Sequence, residues 1–215
     1  MEPNTYASKI VAYMQSKGYL LFRQPGEINI IYLEGADLDG TPNPDEPDRF
    51  NDLGILLRFK PDGSPEIIHR AICTTEPGGL ATFSAQAVRL GGVARVQLTQ
   101  YLECWKLAYH KTPDHPALVQ CAPVLVHRDR NRDFKRTRDG LGAATGINHH
   151  GTRPGYIAKF VGMFSMGCSV RLHWEDHLEF IKILKTDPRY QADSSFRFSA
   201  SYLDAVKVWL LPFSA

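Results

Sequence analysis

The sequence has no hydrophobic run long enough to cross a bilayer and no marked excess of charge of either sign. Its longest apolar stretches, such as Val208 to Phe213, fall far short of the ~20 residues that a membrane helix needs. The 25 basic and 23 acidic residues leave a formal net charge of +2. Because this balance creates no strong field, nucleic acid is not expected as a partner. Membrane insertion is not expected either, because the apolar runs are too short.

Cysteine is also scarce, since the chain of 215 residues has four. A chain of this length can bury a core without disulfides. Cys73, Cys104 and Cys121 lie in apolar segments, which predicts buried thiols in strands. Cys168 differs from these three, because it directly follows Ser165-Met166-Gly167 and not an apolar segment.

The N-terminal residues lack the basic start and unbroken apolar run of a secretory signal, so no such signal is expected. Residues 1–18 instead predict a helix, because apolar side chains recur at helical spacing and Gly18 follows them. Residues 26–215 predict a β-rich core, including long strands at 94–110 and 117–128. A second helix is expected at Trp174 to Leu184, and closing strands at Phe196 to Leu211.

No repeat or linker divides the chain, so residues 1–215 predict a single, mainly β domain. In this reading the β-rich core of 26–215 carries the catalytic residues.

The most informative segment is 146–174. Asn148-His149-His150-Gly151 precedes Ser165-Met166-Gly167-Cys168, and fourteen residues separate His150 from Ser165. A small hydroxyl residue and a glycine before a cysteine predict a tight turn whose N–H groups can bind an oxyanion. A nucleophilic cysteine needs a base, and histidine supplies one near neutral pH.

This pattern resembles the signature of the YkuD-type L,D-transpeptidases. His150, Ser165, Gly167 and Cys168 match that signature, and the gap between them lies within the range of the family. Met166 stands where the family usually has histidine. Arg171 lies one place later than the polar residue that follows the cysteine in the family.

The resemblance implies a YkuD-like β sandwich or barrel that carries out cysteine acyl transfer on peptidoglycan stem peptides. Cys168 would attack a peptide carbonyl, His150 would move the proton, and the backbone at Gly167 and Cys168 would hold the oxyanion. Transfer to an amine gives transpeptidation, and transfer to water gives carboxypeptidase or endopeptidase action. The resemblance implies no cofactor. It places the activity at the cell wall, reached by lysis or by another route that does not use a secretory signal.

Several roles stay open at the level of sequence. His149 is an alternative base, because neighbouring side chains on a strand point to opposite faces and only one of the two can face the thiol. Ser165 either forms the turn or orients the histidine, and Gly151 accompanies the base. Arg171 either binds a substrate carboxylate or is a solvated charge.

Two metal sites are alternatives. His173 and His177 have the i, i+4 spacing of zinc ligands, which would make the protein a zinc hydrolase. Asp129, Asn131 and Asp133 resemble the start of a calcium loop, although Phe134 replaces the expected glycine.

Two further alternatives concern binding rather than metals. A non-catalytic module that binds the cell wall is also compatible with the sequence. His110 and His115 flank a Pro-Asp loop, where a surface position is expected and a place in a cleft is the alternative.

Overall fold

The computed structural model describes residues 3–212. The helices are α1 (Pro3–Ser16), α2 (Gly79–Thr82), α3 (Ala85–Arg89), α4 (Trp174–Leu184), α5 (Pro188–Ala192) and α6 (Ala205–Trp209). The strands are β1 (Asn29–Glu34), β2 (Asp52–Phe59), β3 (Pro65–Thr74), β4 (Val93–Val96), β5 (Gln100–Tyr109), β6 (Pro116–Gln120), β7 (Val124–Asp129), β8 (Leu141–Ala144), β9 (His149–Gly151), β10 (Ser169–Arg171) and β11 (Phe198–Asp204).

Eight strands close into a barrel in the order β1-β11-β5-β6-β9-β10-β3-β2. The pairs β1–β11 and β9–β10 are parallel, and the other barrel pairs are antiparallel. With 34% strand and 20% helix, the prediction of a mainly β fold is confirmed. Closure also leaves no free edge in this sheet.

Helix α1 covers the outside of the barrel together with α6. Ile10 and Met14 of α1 are fully buried and belong to the same apolar cluster as Ile31 and Ile55 of the barrel wall. The predicted N-terminal helix is confirmed over Pro3–Ser16, and residues 1–2 of that prediction lie outside the described residues. Burial on both faces explains why the strand segments read as continuous apolar runs.

Aromatic side chains fill the barrel interior. Tyr32 on β1 contacts His149 on β9 from across the barrel, at a ring distance of 5.0 Å. Trp105 and Tyr202 pack with them in the same buried cluster. Phe180 of α4 joins that cluster, so the helix after the cysteine closes over this core. The bounds Trp174–Leu184 confirm the predicted second helix.

Three segments differ from the sequence predictions. The long strands predicted at 94–110 and 117–128 are each divided, because β4 and β7 leave the barrel and form a separate sheet with β8. The predicted closing strands of 196–211 are β11 followed by α6.

Helix α6 forms in place of a strand because Asp204 caps its N-terminus. The Asp204 carboxylate accepts the Lys207 N–H and starts a helical turn that buries Ala205 and Val208. Residues 213–215 of the predicted core lie outside the described part of the chain.

The cysteines follow the prediction in part. Cys73 and Cys104 are buried in β3 and β5, whereas Cys121 lies directly after β6 and is half-buried. None of the helices between residues 3 and 212 has the length and apolar character that a membrane span requires.

Candidate active site

Strands β9 and β10 bring the two halves of the sequence motif together. They run parallel, with His149 beside Ser169 and His150 beside Val170. Because side chains alternate along a strand, His150 and Cys168 belong to one face, and His149 and Arg171 belong to the other. The first face borders a cavity outside the barrel, and the second faces the barrel interior.

The turn before Cys168 is fixed by Ser165. Its buried hydroxyl accepts the Gly167 N–H at 3.0 Å and donates to the Cys168 carbonyl at 2.8 Å. Gly167 has a φ of 138°, and an added Cβ would lie 2.6 Å from the Ala94 carbonyl oxygen. Only glycine fits this close approach of two backbones.

These contacts change two expectations. Ser165 orients the turn and does not contact the histidine in this structure. The Gly167 N–H is already bonded, so it is not free to hold an oxyanion as expected. The Cys168 N–H, like those of Ser165 and Met166, has no hydrogen-bond partner among residues 3–212, and it belongs to the same residue as the thiol.

The Cys168 side chain is half-buried at the floor of the cavity. Its Sγ lies 3.4 Å from the Asn148 backbone N–H, which donates to it, and 3.5 Å from the Gly146 carbonyl, which accepts the thiol proton. Burial raises the pKa of this thiol, and the Asn148 N–H opposes that rise. The thiol is therefore protonated at rest near neutral pH.

His150 is neutral in this structure, and one of its ring nitrogens has no partner. Its Nδ1 lies 2.8 Å from the Gly151 carbonyl oxygen. A carbonyl accepts only, so Nδ1 carries the proton and Nε2 carries the free lone pair. Nε2 is buried without a hydrogen-bond partner. Burial holds the pKa of His150 well below its usual value, and repulsion between protonated His150 and His110 would lower it further.

His150 and Cys168 line the same cavity, but no hydrogen bond joins them in the resting structure. Catalytic contacts often tighten only when substrate is bound, so this separation does not argue against the pair.

His110 is a further functional candidate, and it takes the place in a cleft that the sequence left as the alternative. Its ring stacks on His150 at 4.1 Å with an angle of 12° between the planes. The Asn148 side-chain amide donates to His110 Nδ1 at 3.0 Å. Burial lowers the pKa of His110 to about 4, so a neutral ring supports the base.

His115 also borders the site, with its ring edge-on to His150 at 5.5 Å. The surface position expected for these two histidines is therefore wrong. The signal in the sequence was their place at the two ends of the β5–β6 connection, which lies beside β9 once the barrel closes.

His149 lies on the opposite face. Its Nε2 is 3.0 Å from the Tyr202 hydroxyl, and its ring is 4.4 Å from that of Trp105. Burial among these rings holds the pKa of His149 well below its usual value. The alternative that His149 is the base has no geometric support, because its side chain is enclosed in the barrel.

Arg171 is also enclosed. Its side chain is fully buried, with the guanidinium 3.3 Å from the ring centre of Phe180 and Nη2 donating to the Tyr32 hydroxyl at 3.4 Å. Arg171 borders neither of the cavities beside His150. Neither expectation fits this position, because the side chain reaches neither substrate nor solvent. The shift of one residue from the family pattern places it on the interior face.

The possible zinc ligands are arranged differently from the expectation. Helix α4 begins at Trp174, and His173 precedes it with an extended backbone. Among residues 3–212, the two histidines belong to no group of three side chains close enough to share a metal. His177 is fully buried, and its Nε2 donates to the Pro116 carbonyl at 2.6 Å.

The possible calcium loop is closed by its own hydrogen bonds. The buried Asp129 carboxylate accepts the N–H groups of Asp133 and Phe134, both at 3.1 Å. The Asn131 side chain donates to the Asp133 carboxylate at 2.9 Å. These oxygens serve as turn acceptors.

Among residues 3–212, the histidines, cysteines and acids that approach closely enough to share a metal are Glu34, Asp45 and Glu76. Arg136 pairs with Glu34, and Arg95 pairs with Glu76. Arginine therefore supplies the positive charge in this cluster.

The same cluster lies next to backbone hydrogen bonds that hold the turn before Cys168. Next to Arg95, the Ala94 N–H donates to the Met166 carbonyl at 3.0 Å. Two residues after Glu76, the Gly78 N–H donates to the Ser165 carbonyl at 3.0 Å. A buried ion network thus connects the small sheet to the turn that presents Cys168.

Two adjoining cavities border His150. The thiol cavity, of about 530 Å³, is lined by Cys168, Gly146, Ile147 and Met166. The loop cavity, of about 540 Å³, is lined by residues of the 152–164 segment, including Arg153, Tyr156, Lys159 and Phe160. The two cavities share five lining residues, His110, Lys111, His150, Met163 and Phe164.

Comparison of the chain with protein-family models, with curated proteins and with solved structures found no match.

Proposed function

We propose that the protein is a cysteine acyl-transfer enzyme that acts on peptidoglycan stem peptides, as an L,D-transpeptidase or as an L,D-carboxypeptidase or endopeptidase. One observation carries the proposal. A cysteine held on a glycine turn and a histidine with a free Nε2 border one cavity, on the same face of two paired strands. The motif resemblance supplies the substrate class.

In the first half-reaction, Cys168 gives its proton to His150 Nε2 as the sulfur attacks the peptide carbonyl carbon. The carbonyl oxygen becomes negative and accepts the Cys168 N–H. The C–N bond then breaks, His150 returns the proton to the departing amine, and a thioester remains on Cys168.

In the second half-reaction, an amine or a water molecule approaches the thioester beside His150. His150 takes the proton of that nucleophile as the new bond forms. The sulfur leaves and is reprotonated, which restores the neutral pair. An amine gives a transferred peptide, and water gives a free carboxylate.

The Gly151 carbonyl acts as the third member of the catalytic group. It holds Nδ1 protonated, which presents the lone pair of Nε2 and stabilises the imidazolium formed during the reaction. His110 limits the rotation of the His150 ring by stacking on it.

The proposal is tested by intact-protein mass after incubation with a disaccharide tetrapeptide. The wild type is expected to gain the mass of an acyl group, and Cys168→Ala is expected to gain none. Cys121→Ala is the matched control, because Cys121 is a half-buried thiol outside both cavities.

An adduct that persists in Cys168→Ala would exclude Cys168 as the nucleophile. A folded wild type that binds the peptide without adduct or product would favour the non-catalytic wall-binding alternative. Protein purified without added zinc that is fully active and metal-free would dismiss the zinc hydrolase.

A further inference from the structure

Two of the four cysteines face each other at the base of the β5–β6 hairpin. The register of these antiparallel strands pairs Trp105 with Gln120. One step further along both strands, the Cys121 N–H donates to the Cys104 carbonyl at 2.7 Å. Side chains of opposed residues leave a sheet on the same face, with Cβ atoms about 4.5–5.5 Å apart. The two thiols therefore lie on one face of the hairpin.

Each thiol also contacts the backbone beside the other. Cys104 Sγ is 4.0 Å from the carbonyl oxygen of Pro123, two residues beyond Cys121. Cys121 Sγ is 3.8 Å from the carbonyl oxygen of Glu103, the residue before Cys104. A disulfide needs Cβ atoms about 3.5–4.5 Å apart, so opposed residues lie within about 1 Å of that geometry. Both cysteines are free thiols in this structure.

The two thiols differ in their exposure to solvent. Cys121 is half-buried, whereas Cys104 is 6% exposed and packs in the same apolar cluster as Trp105. Burial raises the pKa of the Cys104 thiol. A dissolved oxidant therefore reaches Cys121 first, and Cys104 is placed to react with the sulfur that faces it.

The hairpin that this pair closes carries neighbours of the candidate active site. Its connection includes His110, whose ring stacks on His150 at 4.1 Å. The residue before the second cysteine is Gln120, whose side-chain oxygen accepts the Ile147 N–H at 2.6 Å. The Gln120 N–H donates to the Asn148 side-chain oxygen at 3.0 Å. A bond at the base of the hairpin would therefore fix a strand that supports the wall of the thiol cavity.

We propose that Cys104 and Cys121 are a redox pair, which a low-molecular-weight disulfide converts into an intramolecular disulfide that fixes the base of the β5–β6 hairpin. The Cys121 thiolate attacks one sulfur of the oxidant, and the first oxidant thiolate leaves. Cys104 loses its proton and attacks the Cys121 sulfur of this mixed disulfide, and the second oxidant thiolate leaves. The two cysteines lose two protons and two electrons, and the oxidant is reduced to two thiols. This proposal does not depend on the acyl-transfer function, because neither sulfur borders either cavity.

The test uses the full chain with Cys168→Ala, so that the thiol beside His150 cannot react with the oxidant. After incubation of the folded protein with oxidised glutathione, the intact mass should fall by about 2 Da, which is the mass of two hydrogens. Digestion without reduction should give one cross-linked product that contains Cys104 and Cys121. The midpoint of thermal unfolding should rise by about 5 °C over that of the reduced protein, because the bond closes a loop in the unfolded chain.

Variants in the same background separate the two steps. Cys121→Ala should show no change in mass, because the accessible thiol is lost. Cys104→Ala should gain the mass of one glutathione, because the mixed disulfide on Cys121 cannot be resolved. Cys73→Ala is the matched control. It removes a buried thiol whose strand partners are Asp52 and Arg171, and it should still lose the two hydrogens.

The peptide map of the parent chain decides the outcome without relying on the folding of these variants. A parent chain that keeps its thiols free, or that retains glutathione on Cys121, would overturn the redox pair. A cross-link that includes Cys73 would overturn it as well. A Cys104–Cys121 bond that leaves the thermal midpoint unchanged would contradict the claim that it fixes the hairpin.

Discussion

His149 and His150 are adjacent in sequence, but their side chains lie on opposite faces of the barrel wall and have different surroundings. Both are buried, and burial lowers the pKa of both. His149 lies among Tyr202, Trp105 and Tyr32 inside the barrel, whereas His150 borders two cavities. A perturbed pKa therefore does not by itself identify a catalytic histidine. Of the two, only His150 borders a cavity that also contains a cysteine thiol, which is why the proposed function assigns the base to His150.

The same division applies to β10 and its flanking cysteine. Cys168 belongs to the cavity face, while Ser169 and Arg171 are fully enclosed on the interior face. Substitutions on the cavity face should change catalysis more than stability, and those on the interior face should do the reverse.

The largest effect is expected for Cys168→Ala. Turnover should fall by about 10³-fold or more, because the covalent intermediate cannot form. The thermal midpoint should change little, since the thiol is half-buried and makes only long contacts. Steady-state assays and thermal unfolding measured by circular dichroism check both parts. Retained turnover would remove the basis for assigning a function to the cavity face.

The pH dependence sharpens the comparison. A histidine with a lowered pKa stays neutral, and competent as a base, below the usual value of about 6.5. The acid limb of kcat/KM should therefore lie below pH 6.5. The raised pKa of Cys168 means that its alkylation by iodoacetamide should be slow at pH 7 and should accelerate above the usual thiol pKa of about 8.5. Fast alkylation at pH 6 would indicate a preformed thiolate and contradict the neutral pair.

Ser165→Ala tests the turn that precedes Cys168. It leaves the buried Gly167 N–H and the Cys168 carbonyl without their partner, which should cost about 1–3 kcal/mol of unfolding free energy. Acylation should slow by about 10- to 100-fold, because the thiol is displaced from the carbonyl that it attacks. Ser195→Ala, an exposed serine in a distant turn, is the control. Unchanged acylation would mean that Ser165 has no part in positioning Cys168.

The smallest effect on catalysis is expected for Arg171→Met. The buried guanidinium has no acidic partner in the described structure, so an apolar side chain of similar length should be neutral or stabilising within about 1–2 kcal/mol. KM for the stem peptide should not change. A large rise in KM would restore the substrate-binding role expected from the sequence.

Much of the cavity face was accessible from the sequence, because its chemistry is local. The order His150, Ser165, Gly167, Cys168 predicts a tight turn before the cysteine and a histidine near it, and the structure has that turn and places both side chains beside one cavity. The interior face was not accessible in this way. Arg171 and His149 are of residue types that are common at functional sites, and only the strand register shows that their side chains point inward.

The contact of His110 with His150 could not be predicted for a different reason. His110 contacts His150 because β6 lies between β5 and β9 in the barrel, a pairing that no local pattern reveals. Similarly, residues 94–110 are divided into β4 and β5, which belong to different sheets. β-propensity is the same in both halves of this segment, so it does not predict the division. The fold class follows from composition, but the assignment of strands to sheets requires long-range contacts.

The most direct test of the central claim is the rate of acyl-enzyme formation in His150→Gln and His149→Gln, measured by intact mass at a temperature where both variants are folded. His150→Gln should be slower than the wild type by about 10²- to 10⁴-fold, because the general base is lost. His149→Gln should acylate within about 3-fold of the wild type and lose unfolding free energy of about 1–3 kcal/mol instead. The opposite pattern, with rapid acylation by His150→Gln and none by folded His149→Gln, would contradict the assignment of catalysis to the cavity face.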